Sequence, residues 1–132
     1  MKSKRTEPVI SIRLKGVGQT QVFHPGDSLS GVLEIQPNDV IQCRSVQLTI
    51  GWHTEGKGDR NGVTMLQQDY PIKEIRPENP IVEHFDFVLP SEPWSFAGHL
   101  IRIVWEVHAK IDIAFGRDYN TSLQFVLQPS VS

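Results

Sequence analysis

The sequence predicts an all-β fold, a two-layer antiparallel β-sandwich, on three observations. Apolar residues recur at a period of two through most of the chain. Turn residues (Gly, Pro, Asn, Asp) interrupt them about every dozen positions, and no stretch carries the three-to-four-residue period of an amphipathic helix. Seven or eight such strands, with no helix to cover a sheet, bury their apolar faces by stacking one sheet on another.

Val9, Ser11 and Arg13 separate from Ile10, Ile12 and Leu14 at a period of two, so residues 8 to 15 read as a strand with the Ile and Leu set inward. Gly16 and Gly18 end it. His24-Pro25-Gly26-Asp27 reads as a turn, since Pro25 fixes φ and Gly26 can take the positive φ of a type II turn. In the following strand Leu29, Leu33 and Ile35 share a face, and Gly31 marks a bulge or a close backbone approach. After Pro37-Asn38-Asp39, the residues Val46, Leu48, Ile50 and Trp52 alternate with Gln47, Thr49 and Gly51, a strand with one buried and one wet face. It runs into the polar, glycine-rich loop Glu55 to Gly62, where Asn61-Gly62 is a hairpin turn signal. The return strand, residues 63 to 75, is weaker, and Pro71 implies an edge position or a break.

Beyond Pro80, Phe85, Phe87 and Leu89 alternate with His84, Asp86 and Val88 until Pro90 stops the strand. Residues 91 to 98 form a connection holding Trp94 and Phe96, whose large rings are expected to pin it across an end of the core. Residues 99 to 113 are the longest strand, with Ile101, Ile103, Trp105, Val107, Ala109, Ile111 and Ile113 on one face. At about 3.4 Å per residue it would reach about 50 Å, so a bend or bulge inside it is expected. Gly116 to Asn120 turns the chain, and Leu123, Phe125 and Leu127 form the last strand before Pro129.

A chain of 132 residues is the size of one domain and can bury a core without metals or disulfides. Its 39% hydrophobic content, with three Trp and six Phe, supplies that core. The expected division is a flexible basic tail over residues 1–7, one sandwich over 8–128 and a C-terminal tail over 129–132. Thirteen Lys and Arg against fifteen Asp and Glu give a formal charge of −2, which provides no bulk attraction to nucleic acid or an anionic membrane. The basic cluster Lys2, Lys4 and Arg5 reads as a solvated end. No apolar run approaches the roughly 20 residues of a transmembrane span, and no leader pattern is present, so a cytoplasmic location is expected. The single Cys43 has no internal partner and reads as a partly buried thiol.

Reactive constellations are sparse. The five histidines form none of the spacings His-x-His, Cys-x-x-Cys or His-Glu-x-x-His, so no metal or cofactor is expected from motif. His53 and Glu55 share a strand face, and Glu83 with His84 could meet them from a neighbouring strand; a solvated sheet edge is the preferred reading. Glu106 and Asp112 lie six residues apart, about 20 Å when extended, too far for a glycosidase pair. Ser28 and Ser30 lack the nucleophile elbow, and Gly56-Lys57-Gly58 lacks the spacing of a phosphate loop. Trp105 reads as a core aromatic. Trp52, beside the loop, is the better surface anchor.

The ordered set Phe23-His24-Pro25-Gly26-Asp27-Ser28-Leu29-Ser30-Gly31-Val32-Leu33, Ser45 to Ile50, Phe85-Asp86-Phe87-Val88-Leu89-Pro90 with Pro93, Ser95, Phe96 and Gly98, and Ile101 to Ile111 resembles the amino-terminal domain of arrestin-like proteins. That family includes arrestins, the retromer subunit Vps26 and the sporulation-control protein Spo0M. The resemblance covers residues 8 to 128 and implies an immunoglobulin-like, arrestin-like sandwich. It also implies an adaptor or scaffold without catalytic residues. Relatives usually carry two sandwiches in tandem, whereas this chain has room for one, so self-association would have to supply a second.

The expected function is therefore a non-enzymatic protein-binding module. Its partner is another protein, reached by addition of a strand to a sheet edge or by the loops at one end, and a homodimer is a further expectation. Trp52 and Trp94 would give apolar contact, while Glu55, Lys57 and Arg60 would orient a partner at the rim. The alternative is a small-ligand or carbohydrate-binding sandwich, which calls for an aromatic-lined groove with Trp52 or Trp94 exposed beside polar side chains.

Overall fold

The computed structural model describes residues 7–15, 21–57 and 60–129. The basic cluster Lys2, Lys4 and Arg5, the strand-ending Gly16 and Gly18, Gly58 and Asp59 of the polar loop, and Ser130 to Ser132 lie outside the described residues.

Strands make up the regular structure. In chain order they are β1 (Val9–Leu14), β2 (Val22–Phe23), β3 (Ser28–Gln36), β4 (Ile41–Gln42), β5 (Ser45–Gly56), β6 (Gly62–Tyr70), β7 (Glu74–Ile75), β8 (Ile81–Val88), β9 (Phe96–Ala97), β10 (Ile101–Asp112) and β11 (Tyr119–Leu127). The longer ones are those legible from alternation, except β6, which is the return strand expected over residues 63 to 75 and ends at Tyr70 before Pro71. The two-residue pieces β2, β4, β7 and β9 are too short to carry a period.

The smaller sheet has the order β1-β3-β8, and the larger runs β2-β11-β10-β5-β6 with β9 joined to the start of β10. All pairings are antiparallel except β2 with β11, a short parallel contact of Val22 and Phe23 with Val126 and Leu127. The chain crosses between sheets from β3 to β5 and again from β6 to β8. β4 and β7, taken from those two crossovers, pair with each other and tie them together.

The core lies between the sheets. Leu29, Leu33, Ile35 and Phe85 come from the small sheet, and Val46, Leu48, Ile50, Trp105, Val107, Ile111 and Phe125 from the large one. Trp105 has no exposed surface, its Nε1 donates to the Pro93 carbonyl at 2.7 Å, and its ring lies 5.7 Å from that of Phe125. Burial of such a side chain stabilises the fold by roughly 2 to 3 kcal/mol, and the satisfied N–H removes the cost of hiding a polar atom.

Glycine acts where backbone and ring come close. A Cβ on Gly31 would stand 2.4 Å from the Arg13 carbonyl oxygen and 2.6 Å from Phe85 Cζ, so the sequence reading of a close approach there holds. Gly26 sits at φ 86° in a turn closed by the Asp27 N–H donating to the His24 carbonyl, as a type II turn requires.

The irregularity expected inside β10 is elsewhere. β10 pairs with β5 in unbroken register from Ile101 opposite Gly56 to Asp112 opposite Ser45, and the bulge falls between β5 and β6 at Ile50/Gly51. Gly51 makes this possible: a Cβ there would meet the Val63 carbonyl oxygen at 2.2 Å, so only a missing side chain lets the displaced β6 backbone pass.

Candidate functional site

The hairpin formed by residues 91–101 closes one end of the sandwich. Its backbone is fixed by polar anchors: the Pro93 carbonyl accepts from Trp105, the Ser95 N–H donates to the Leu127 carbonyl at 2.7 Å, and the Leu127 N–H donates to Ser95 Oγ at 3.0 Å. Gly98 N–H donates to the Ile101 carbonyl, and β9 pairs with Arg102 and Ile103. The connection is thus pinned across the end of the core, but not by its rings. Residues 93 and 95 are held against the sheet by these bonds, while Trp94 is left 48% exposed and Phe96 53%. This corrects the expectation that both rings are buried. Leu100 at 59% and Ile101 at 43% continue the apolar surface. Ile101 holds the inward parity of β10 and is exposed all the same, so inward parity there does not bring burial.

The segment Trp52 to Arg60 adjoins this hairpin. Glu55 and Gly56 of β5 stand opposite Arg102 and Ile101 of β10, and the Lys57 N–H donates to the Leu100 carbonyl at 3.2 Å. Gly56, at φ 136°, is required there because a Cβ would lie 2.1 Å from the Leu100 oxygen. Trp52 is half-buried against the core beside its cross-strand partner Trp105, and it is less available than Trp94. Lys57 and Arg60 are exposed. Glu55 is held by two groups, with Oε2 at 2.7 Å from His53 Nε2 and Oε1 at 3.3 Å from Arg102. The His53 hydrogen bond holds the Glu55 carboxyl below its usual range against the opposing effect of desolvation, and the charges of His53, Arg102 and Arg60 add to the lowering.

The sequence reading placed Phe96 in the connection at this end but missed Leu100, Ile101 and Arg102 as parts of it. The adjacency of Leu100 and Ile101, which breaks the period of two at the strand's start, was the available signal.

Other groups stay apart. β5 is flanked by β10 and β6, while β8 pairs with β3 in the opposite sheet, so Glu83 and His84 do not join His53 and Glu55. Among the described residues no three His, Cys, Asp or Glu side chains gather in a metal-binding group. Cys43 is buried, and its Sγ donates to the Ile72 carbonyl; burial pushes its thiol up, Lys73 opposes and Asp112 adds to the rise. A hollow of about 320 Å³ beside β9 and β11 is lined by Phe96, Arg102, Val104 and Phe125, but by neither Trp52 nor Trp94. No described helix is long and apolar enough to cross a membrane.

No protein-family model and no curated protein matches the chain. Among solved structures, Spo0M, the sporulation control protein from Bacillus subtilis, superposes with a TM-score of 0.72 at 16% sequence identity, over 95% of this chain and 51% of that one. The chain therefore spans about half the length of Spo0M. Together with the stacked antiparallel sheets and the lack of any helix among the described residues, the likeness assigns the fold: an arrestin-like β-sandwich.

Proposed function

We propose that this chain is a non-enzymatic protein-binding module of the adaptor or scaffold kind, acting in the cytoplasm, and that the hairpin end is where it holds its partner. The observation that carries this reading is the run Trp94, Phe96, Leu100 and Ile101, four large apolar side chains left in water on one rigidly anchored hairpin. Scattered apolar exposure is ordinary, but a contiguous set of this kind marks an interaction surface. Lys57 and Arg60 border it with positive charge, and Glu55, tied to His53 and Arg102, fixes the adjoining strand end. Arrestin-like proteins are generally non-enzymatic, which accords with the scattered titratable groups described above. The small-ligand alternative has a weaker footing: a hollow of about 230 Å³ sets Trp52 beside Thr49, His53, Glu106 and His108, but Trp52 is half-buried there, and the hollow near the hairpin is lined by neither Trp52 nor Trp94.

The test places a photo-crosslinking amino acid at position 94 or 96 in the intact chain and exposes it to extract of the source cells. Defined protein adducts are expected at these positions and not at exposed Phe115 at the opposite end of β10. A Trp94→Ala, Leu100→Ser chain should bind the identified partner about 30-fold more weakly at unchanged melting temperature. Adducts distributed equally over all three positions, or binding indifferent to the two substitutions, would overturn the assignment.

A further inference from the structure

A second surface, sharing only Arg60 with the rim of the hairpin end, is the free edge of the larger sheet. One edge of that sheet is the two-residue β2. The other is β6, nine residues long, in which every residue but Leu66 and Tyr70 is exposed. Gly62 to Tyr70 contains no Lys, Arg or Pro, the residues that usually blunt an edge, and its protective devices are the single charge of Asp69 and the bulge opposite Ile50/Gly51.

We infer that β6 is a self-pairing edge: two copies of this chain join β6 to β6 antiparallel about a twofold axis, making one continuous sheet. The strand is complementary to itself in one register, with Thr64 of one copy opposite Met65 of the other. Val63 then meets Leu66. Both lie on the core side of the sheet, since within the chain they stand opposite Trp52 and Ile50. Gly62 meets Gln67, and both lie on the wet side, opposite His53 and Thr49. Arg60 meets Asp69. Asp69 accepts hydrogen bonds from the amides of Gln47 and Gln67 and has no cationic partner among the described residues. Arg60 is exposed and acts by its charge on Glu55 of the wet face.

The twofold axis doubles each contact, so this register gives two Val63–Leu66 pairs and two Arg60–Asp69 pairs. A slip of one residue either way sets Val63 against Gln67 or Leu66 against Gly62, an apolar core-side group against a wet-side position. The bulge that interrupts the inward alternation within β6 is what puts Val63 and Leu66, three apart, on the same side. It thereby selects the register.

Sedimentation equilibrium over the micromolar range tests the inference. Wild type is expected to show a concentration-dependent dimer. Arg60→Glu and Asp69→Lys should each weaken it at least about tenfold, and the double exchange should restore it, because the charges are swapped between copies and not within one. Thermal melts of each variant separate loss of pairing from loss of folding. In an independent arm, R60K protein is treated with carbodiimide, and a crosslinked peptide joining positions 60 and 69 of different copies is sought using mixed isotope labels. A chain monomeric at every concentration, a dimer unmoved by either reversal, or a double exchange no better than the singles would overturn the inference. None of those results touches the hairpin reading, which the adducts at positions 94 and 96 decide separately.

Discussion

Trp105 and Trp94 are eleven residues apart and belong to two different regimes of the same sheet. Trp105 sits where both layers overlap, loses all contact with water and has its N–H satisfied by Pro93. Trp94, next to that same Pro93, stands nearly half in water. Residue type does not separate them; the reach of the opposing layer does. The middle of the sandwich uses its aromatics for stability, and the hairpin end holds its own in place with backbone and Ser95 hydrogen bonds and leaves the rings free.

That contrast sets an order of expected effects. Trp105→Ala should cost about 4 kcal/mol of stability in denaturant unfolding, from the cavity and the lost hydrogen bond, whereas Trp94→Ala should stay within about 0.5 kcal/mol. Equal losses at the two positions would erase the distinction between buried middle and open end. Gly31→Ala should cost about 2 kcal/mol, since the added carbon collides with the Arg13 carbonyl and the Phe85 ring in the overlapped region. A neutral result would mean that β1 and β3 can separate without penalty. Tyr70→Phe, at the margin between regimes, should raise stability by about 1 kcal/mol, because its hydroxyl is buried with no hydrogen-bond partner among the described residues.

The smallest effect belongs to the open end and depends on pH. Glu55 has a folded-state pKa below its ordinary 4.5, chiefly through the His53 hydrogen bond. Its contribution is present above that ordinary value and is lost as pH falls through the lower folded value. Glu55→Gln should therefore melt below the parent at neutral pH, with the gap closing on acidification beneath 4.5. A gap that is constant with pH would show that shape, not charge, matters at that position.

The alternation of Val46 to Trp52 and of Trp105 to Ile111 made β5, β10 and the core readable from sequence, because period-two burial is a local consequence of the pleat. The turn at Pro25-Gly26 and the close approach at Gly31 were equally legible, since each depends on what one residue type permits. The outward rings of Trp94 and Phe96 were not. Their direction follows from Ser95 bonding to Leu127, a residue thirty-two positions away, and from where the facing sheet stops. The placement of the bulge against Gly51 was hidden for a similar reason: glycine there answers to a strand that the local pattern does not reveal. At the candidate surface, the exposure of Lys57 and Arg60 was readable from their polar loop, while Arg102 was hidden as one more polar residue on an alternating strand.

The pairing of β3 has a consequence for synthesis. Ser28 is opposite Val88 and Ile35 opposite Ile81, so one flank of β3 stays open until the ribosome has delivered everything from β4 to β8. Its other neighbour, β1, is made first and can zip at once. A nascent chain halted before Ile81 would carry Leu29, Leu33 and Ile35, all without exposed surface in the finished fold, beside an unpaired ladder. Such an intermediate would present apolar surface and an open strand edge together, and the nonlocal closure by β8 is the step that would cover both.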